Sequence, residues 1–168
     1  MQVKMDDSIE IIRVSEITPD ILKKYSIFRI GKDAQEIVFN DLKDLSEIYP
    51  GFNKWYYKTV TPEIGKTREI ILGMSPEIIA GIAIVKKAEE KKICTLRVRD
   101  GFSGRGIGQR LFDESFEYLE DMFPTFTVSS IQHKLFFPLI KRNNFKLVET
   151  LPDYYVKGVT EFVYNHHI

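Results

Sequence analysis

The sequence has little of three things that would narrow its class at once: cysteine, a charge excess and a long apolar run. Cys94 is the only cysteine in 168 residues, which excludes an intrachain disulfide and a cysteine-based zinc site and is typical of a reducing compartment. The 24 Lys and Arg residues balance the 24 Asp and Glu residues, so the net charge does not favour nucleic acid or an acidic membrane as a partner. No apolar run approaches the ~18 residues that a membrane span needs.

The opening residues, MQVKMDDSIE, lack the apolar core of a secretory signal. We therefore expect a cytoplasmic protein with a single domain over residues 1–168, either monomer or homodimer. The hydrophobic share of 43% is ordinary for a globular domain with its own core. His166 and His167 have no third ligand nearby in sequence, so no metal site is expected.

The hydrophobic pattern predicts an α/β (α+β) fold with a mixed, mostly antiparallel sheet. Strands are expected at residues 10–14, 68–74, 77–87, 91–99, 125–130, 145–151 and 158–165. Helices are expected from Thr18 onward and at residues 33–48, 53–60, 106–122 and 133–143. A strand, a helix and a strand follow one another through residues 91–130, which predicts one parallel pairing inside the sheet.

A glycine-rich loop, Ser103-Gly104-Arg105-Gly106-Ile107-Gly108, joins a predicted strand to a predicted helix. Amides at a helix N-terminus lack intrahelical partners and attract anions, so a pyrophosphate is the natural ligand. The Walker pattern needs Gly-Lys-Ser/Thr, and a dinucleotide fingerprint counted from Gly104 needs glycine where Gln109 stands. A plain tight turn into the helix is the alternative without a ligand.

The stretch LRVRDGFSGRGIGQRLFDES resembles the acetyl-CoA signature of the GNAT superfamily of N-acetyltransferases. Leu96 and Val98 match its strand positions, and Gly106 and Gly108 match its two glycines. Ser103 stands where the family usually has Arg or Gln. The order of elements is similar from Glu10 to the C-terminus, so the resemblance covers most of the chain.

The resemblance implies a GNAT-like sheet of about six or seven strands, flanked by helices, whose two central strands splay apart. It implies acetyl-CoA as the cofactor, with pantetheine along the strand and the pyrophosphate on the loop amides. The cofactor-binding residues would be Leu96, Arg97, Val98, Ser103, Gly104, Arg105, Gly106, Ile107, Gly108 and Gln109. The acceptor would be a small-molecule or peptide amine.

For catalysis, the resemblance implies that the Val98 backbone amide stabilises the developing oxyanion. Many relatives have a tyrosine acid on the late helix, where this chain has Ile140. Ser130, His133 and Tyr155 are the substitutes considered, although each has an equally simple structural role in capping or packing. Two interpretations of Cys94 are open: it forms an acyl-cysteine intermediate, or it is simply a buried cysteine. The departure at Ile140 leaves two hypotheses: an acetyltransferase, or a catalytically silent acyl-CoA-binding module.

Overall fold

The computed structural model describes residues 8–30 and 33–168. Most of the opening stretch MQVKMDDSIE, for which no secretory signal was predicted, lies outside the described residues. Helix α1 spans Pro19–Lys24, and its N-cap is Thr18, whose hydroxyl accepts a hydrogen bond from the Ile21 amide at 3.3 Å. The backbone N–H at the first helical position has no intrahelical partner, so proline, which lacks this N–H, is well suited to begin α1. None of the helices in the described part of the chain is long and apolar enough to cross a membrane.

The predicted helix over 33–48 is two elements. Helix α2 covers Ala34–Leu42, and a tighter 3-10 helix continues over Lys43–Glu47. The predicted helix over 53–60 begins one residue earlier, as α3 at Phe52–Trp55, and continues as a π-helical turn over Tyr56–Val60. Both changes lie where side chains from these elements reach the sheet, so tertiary contacts override simple helical periodicity.

Within residues 8–30 and 33–168, seven strands form one sheet with the spatial order β1-β2-β3-β4-β5-β7-β6. The strands are β1 Glu10–Arg13, β2 Arg68–Met74, β3 Ile79–Lys87, β4 Lys91–Val98, β5 Thr125–Ser129, β6 Leu147–Pro152 and β7 Thr160–Tyr164. Helix α4 covers Ile107–Leu119 and α5 covers Ser130–Arg142. The predicted mixed, mostly antiparallel sheet is confirmed.

Two predicted boundaries were wrong in an informative way. The strand expected to reach Ser130 ends at Ser129, because Ser130 is already the first residue of α5. The strand expected from Phe145 begins at Leu147. The Phe145 amide donates to the Ile140 carbonyl at 3.1 Å, and its ring is buried, so this residue closes the end of α5.

Among the strands of the described sheet, only β4 and β5 pair in parallel, and their ladder is short. Lys92 pairs with Thr125 and Ile93 with Phe126, and no further pair follows. Beyond those pairs the strands diverge, as the predicted splay requires. An edge of β4 is left without a neighbouring strand from Cys94 onward, so its backbone groups need other partners.

The core lies in two layers, one on each face of the sheet. One layer packs α4 and α5 against the sheet around Phe112, Phe126 and Phe145. The other packs the N-terminal helices against β2 and β3 around Leu42 and Tyr56. Neighbouring side chains on a strand face opposite layers, which lets the sheet separate two chemical environments.

Helix α4 lies against β3 at Gly81, which has no side chain to keep the helix away. A Cβ built there would lie 2.9 Å from Ile107 Cγ2 and 2.9 Å from Leu111 Cδ1. Both side chains are buried in the layer between α4 and the sheet. This glycine therefore sets how closely the glycine-rich loop and the start of α4 approach the sheet.

We expect Gly81→Ala to destabilise the fold by about 1–3 kcal/mol through overpacking. The matched control is Gly73→Ala on β2, where the new Cβ would stand 3.4 Å from Ile107, close to ordinary contact. Urea unfolding of both variants measures the difference. Equal stability of the two variants would show that α4 is free to move away from the sheet.

Candidate functional site

The glycine-rich loop places open backbone at the start of α4. Gly104 and Gly106 have φ angles of +77° and +78°, a left-handed conformation that glycine adopts without strain. The first backbone bond of the helix runs from the Arg110 amide to the Gly106 carbonyl at 3.1 Å. The amides just before it have no intrahelical partner. A Cβ on Gly104 would meet nothing within 4 Å, so the space above the loop is open.

The residues that follow anchor this loop. Ile107 is buried between the helix and the sheet. The Gln109 side-chain amide exchanges hydrogen bonds of 3.0 and 2.8 Å with Asn143 at the end of α5. Arg105 is exposed, with its guanidinium 4.8 Å above the Phe102 ring. The loop is therefore fixed at its helical end and carries a cation at its tip.

The Val98 amide points into the gap between the diverging strands β4 and β5. The Arg99 amide donates to the Ala80 carbonyl of β3 at 2.8 Å. Successive amides along a strand point to opposite sides within the sheet. The Val98 amide, one residue earlier, therefore points away from β3 and towards the diverging β5. The side chain of Leu96 is 5% exposed, which leaves mainly backbone for a ligand to contact there.

A cleft of about 490 Å³ lies beside the end of β4; we call it the strand cleft. It is lined by β3, β4 and the first turns of α5, including Gly81, Arg97, Val98, Gln132 and Leu135. The guanidinium of Arg97 is paired with both carboxylate oxygens of Asp44, at 3.1 and 2.9 Å, and Arg99 is paired with Asp41. These pairs join the N-terminal helical segment to β4.

A second cavity, of about 290 Å³, follows along β4 on the side of the N-terminal helices; we call it the aromatic cavity. Its walls include Tyr49, Phe52, Trp55, Arg68, Lys92 and Tyr155. Cys94 and Thr95 also line it, because a bulge interrupts the β3–β4 register and leaves Cys94 unpaired with β3. A bulge can bring two neighbouring side chains to one face. The aromatic cavity therefore begins where β4 and β5 separate.

Arg68 is one of the charged side chains that line the aromatic cavity. Its Nη1 atom donates to Cys94 Sγ at 3.4 Å, and its guanidinium lies 5.6 Å from the Trp55 ring centroid. Burial raises the pKa of the Cys94 thiol despite the nearby cations Lys92 and Arg68. The thiol is therefore protonated at neutral pH and poorly suited to act as a nucleophile.

Glu161 of β7 is a buried carboxyl beneath the aromatic cavity. It is 3% exposed and accepts a hydrogen bond from the Tyr49 hydroxyl at 3.2 Å. Burial raises the pKa of Glu161 to about 7, although Tyr49, Lys92 and Thr127 each oppose the rise. The other buried acid, Glu69, accepts bonds from the amides of Ser15 and Ile70 and is accounted for structurally. Glu161 titrates near neutral pH, as a catalytic base should.

Tyr49 and Tyr155 form one wall over Glu161. Their rings meet edge to face at 5.1 Å. Burial, together with the charge of Glu161, raises the pKa of Tyr155 to about 12 and raises that of Tyr49 further. Both hydroxyls therefore stay protonated at neutral pH. Tyr155, a residue considered from sequence, does lie in the cavity.

The other two side chains considered from sequence lie elsewhere. Ser130 accepts a hydrogen bond from the Thr160 amide at 3.1 Å, so its hydroxyl joins α5 to β7. His133 bonds the Tyr164 hydroxyl through Nε2 at 2.5 Å and packs on Phe162. Phe162 and Tyr164 belong to the layer of α4 and α5, which is the face opposite to Glu161. Burial lowers the pKa of His133.

Ile140 is 2% exposed within the core between α4 and α5. Its side chain has no proton to give, and it fills space instead. Among the described residues, no three His, Cys, Asp or Glu side chains are grouped as a metal site.

Tyr49, Arg68 and Glu161 were not predicted from the sequence. Only Glu161 leaves a local signal, because an acid inside the apolar strand segment TEFVY is unusual unless it is exposed or functional. Tyr49 and Arg68 look like ordinary surface residues until the fold brings them together.

No protein-family model matches the chain, and no curated protein matches it. Solved structures do match. A GNAT-family acetyltransferase from Elizabethkingia anophelis, with acetyl-CoA bound, has a TM-score of 0.63 at 12% identity, covering 97% of this chain and 100% of that one. NAA60 from Arabidopsis thaliana, in complex with acetyl-CoA, has a TM-score of 0.60 at 16% identity, covering 95% and 98%.

A Bacillus subtilis acetyltransferase in complex with CoA is similar over 95% of this chain and 99% of its own, with a TM-score of 0.59 at 13% identity. The chain thus has the fold of the GNAT acetyltransferases. The predicted resemblance to this superfamily is confirmed at the level of the fold.

The shifted pKa of Glu161 predicts how stability changes with pH. Its folded pKa of about 7 lies above the ordinary value of 4.5, so the folded state keeps a proton that the unfolded state loses. Stability from the neutral carboxyl is complete below pH 4.5 and is lost as pH rises through 7. Relative to Glu161→Gln, the natural protein should lose on the order of 3 kcal/mol over this window. Urea unfolding at both ends of the window measures it, and a constant difference would contradict the buried titration.

Proposed function

We propose that this protein is an acetyl-CoA-dependent N-acetyltransferase that moves an acetyl group to a primary amine by direct attack in a ternary complex. One observation carries this proposal. The open loop before α4 and the free edge of β4 at Val98 lie next to each other at the end of the same strand. Neighbours of the same fold hold acetyl-CoA or CoA. Acetyl-CoA would supply the activated acetyl thioester when it is bound, and CoA would leave as the thiol.

The loop fits the pyrophosphate of that cofactor. Amides before Arg110 lack helical partners, Gly104 leaves open space, and Arg105 adds a positive charge. The strand cleft fits the pantetheine arm, because beyond Ile93 the edge of β4 that faces β5 has no strand partner. Leu96 and Val98 would hydrogen bond it through the backbone groups that point away from β3, as an added strand would, and Arg97 between them lines the cleft.

The Val98 amide is the proposed oxyanion donor. It points into the splay, and a fixed backbone N–H needs no reorganisation when negative charge develops near it. The aromatic cavity lies next along β4 and would hold the amine. In this proposal the acyl donor and the acceptor would lie side by side along β4.

Glu161 is the proposed base, and Tyr49 is the relay between Glu161 and the cavity. As the amine nitrogen loses a proton to the Tyr49 oxygen, the Tyr49 hydroxyl proton passes to Glu161. The carboxylate accepts this proton readily because its pKa lies near 7. No side-chain acid is needed for the departing thiolate in this scheme, since Ile140 supplies none and a thiol is acidic enough for water to serve.

A catalytically silent acyl-CoA-binding module is the second candidate, and the aliphatic Ile140 favours it. The two candidates share cofactor binding and differ in turnover. The release of free CoA thiol from acetyl-CoA, measured with a panel of amines, distinguishes the two candidates. Steady turnover on any amine excludes the silent module.

Calorimetry tests cofactor binding directly. We expect CoA to bind with micromolar affinity and Gly106→Val to weaken binding by roughly tenfold or more, since valine cannot hold φ near +78°. The control is Gly158→Val, with a comparable φ of +83° in the β6–β7 connection. Both variants carry similar strain, so equal loss of binding in both would contradict a role for the loop.

A pH-rate profile tests the relay. The rate should rise as pH passes through about 7, where Glu161 loses its proton. Glu161→Gln and Tyr49→Phe should each lower kcat by about a hundredfold or more and remove this rise. Tyr154→Phe is the control, because Tyr154 is half exposed, meets the Tyr155 ring edge to face, and is outside the described lining of the aromatic cavity. An unchanged acid limb in Glu161→Gln would overturn the assignment.

A further inference from the structure

The charges around the aromatic cavity do not balance. Lys86 is paired with Glu90 at 3.2 Å. The positive charge of Lys92 interacts with the Glu161 carboxylate and balances its negative charge when Glu161 is ionised. Arg68 remains: in the part of the chain the structure describes, it forms no ion pair with a carboxylate.

The Arg68 guanidinium is only partly solvated. It is half-buried, its one side-chain hydrogen-bond partner in the described residues is the weakly accepting Cys94 sulfur, and one face lies over Trp55. A guanidinium offers five N–H donors in a planar fork, which matches the two oxygens of a carboxylate. Its remaining donors therefore form a ready site for an anionic group in the cavity.

The other features of the cavity define what such a ligand looks like. Tyr49, Phe52, Trp55 and Tyr155 give it apolar walls. The Glu161 carboxyl accepts a hydrogen bond from the Tyr49 hydroxyl. Its negative charge, when ionised, would attract an ammonium group to the Tyr49 wall of the cavity. A volume of about 290 Å³ accommodates a small molecule. An amine with an apolar body and a carboxylate complements all of these features, whereas a polyamine would meet Arg68 with like charge.

We propose that the acceptor is an amino-carboxylic acid whose carboxylate binds the Arg68 guanidinium while its amine faces Tyr49 and Glu161. The proposal rests on the proposed acetyltransfer and narrows its substrate class. Arg68 is thus a specificity residue, which selects the acceptor through ground-state binding.

Trp55 is the only tryptophan of the chain and lines the cavity, so its fluorescence reports binding without any chemistry. The ligands are matched pairs that differ in a carboxylate: 6-aminohexanoate with hexylamine, and phenylalanine with phenethylamine. We expect the carboxylate member of at least one pair to bind about tenfold tighter than its partner. Spermidine should bind no better than hexylamine.

Arg68→Gln should reduce the preference for the carboxylate member to near unity. Arg142→Gln, which removes the same charge from the exposed end of α5, should leave it unchanged. Equal binding within both pairs, tighter binding of spermidine, or a preference that survives in Arg68→Gln would each overturn the proposal. The comparison of paired ligands on the natural protein decides the proposal even if Arg68→Gln fails to fold.

The titration is done without CoA, so its outcome is separate from that of cofactor binding. If CoA fails to bind in calorimetry while the carboxylate preference holds, the acetyltransfer is wrong and the anion site stands. If CoA binds and transfers acetyl groups but the paired amines react with equal kcat/KM, the substrate class is wrong and the acetyltransfer stands.

Discussion

The short parallel pairing of β4 with β5 is the constraint on which the rest of the site depends. The strands share only the pairs Lys92–Thr125 and Ile93–Phe126 before they diverge. A backbone edge inside a sheet is costly to leave without partners. The divergence exposes that edge and opens the strand cleft and the aromatic cavity along the same strand. A longer ladder would bury the backbone of Val98 and close both.

The divergence is held from both sides of the sheet. On one side, Arg97 and Arg99 pair with Asp44 and Asp41 of the N-terminal helical segment. On the other, α4 packs tightly at Gly81, and its first turn is joined to α5 through Gln109 and Asn143. These contacts position the loop and the strand end relative to each other. The separation of β4 and β5 is therefore fixed by contacts on both faces of the sheet.

Much of the fold was predictable because its signals are local. Alternating apolar strands, the proline at the start of α1 and the glycines before α4 each carry their own physical reason. Ends of elements were less predictable, because tertiary bonds set them, as when Phe145 turns inward to close α5. The aromatic cavity was beyond reach from sequence, since Tyr49 and Glu161 stand 112 positions apart. Only folding makes one the partner of the other, and only burial moves the Glu161 pKa to about 7.

The central claim is that the exposed edge of β4 and the loop before α4 together bind one extended ligand. Amide NMR spectra recorded during addition of CoA test this most directly. We expect the largest shifts at the amides of Val98 and Gly106, and no shifts in β1 and β2, which lie at the opposite end of the sheet from β5. Shifts confined to the loop, with Val98 unmoved, or no shift at either place, would contradict it.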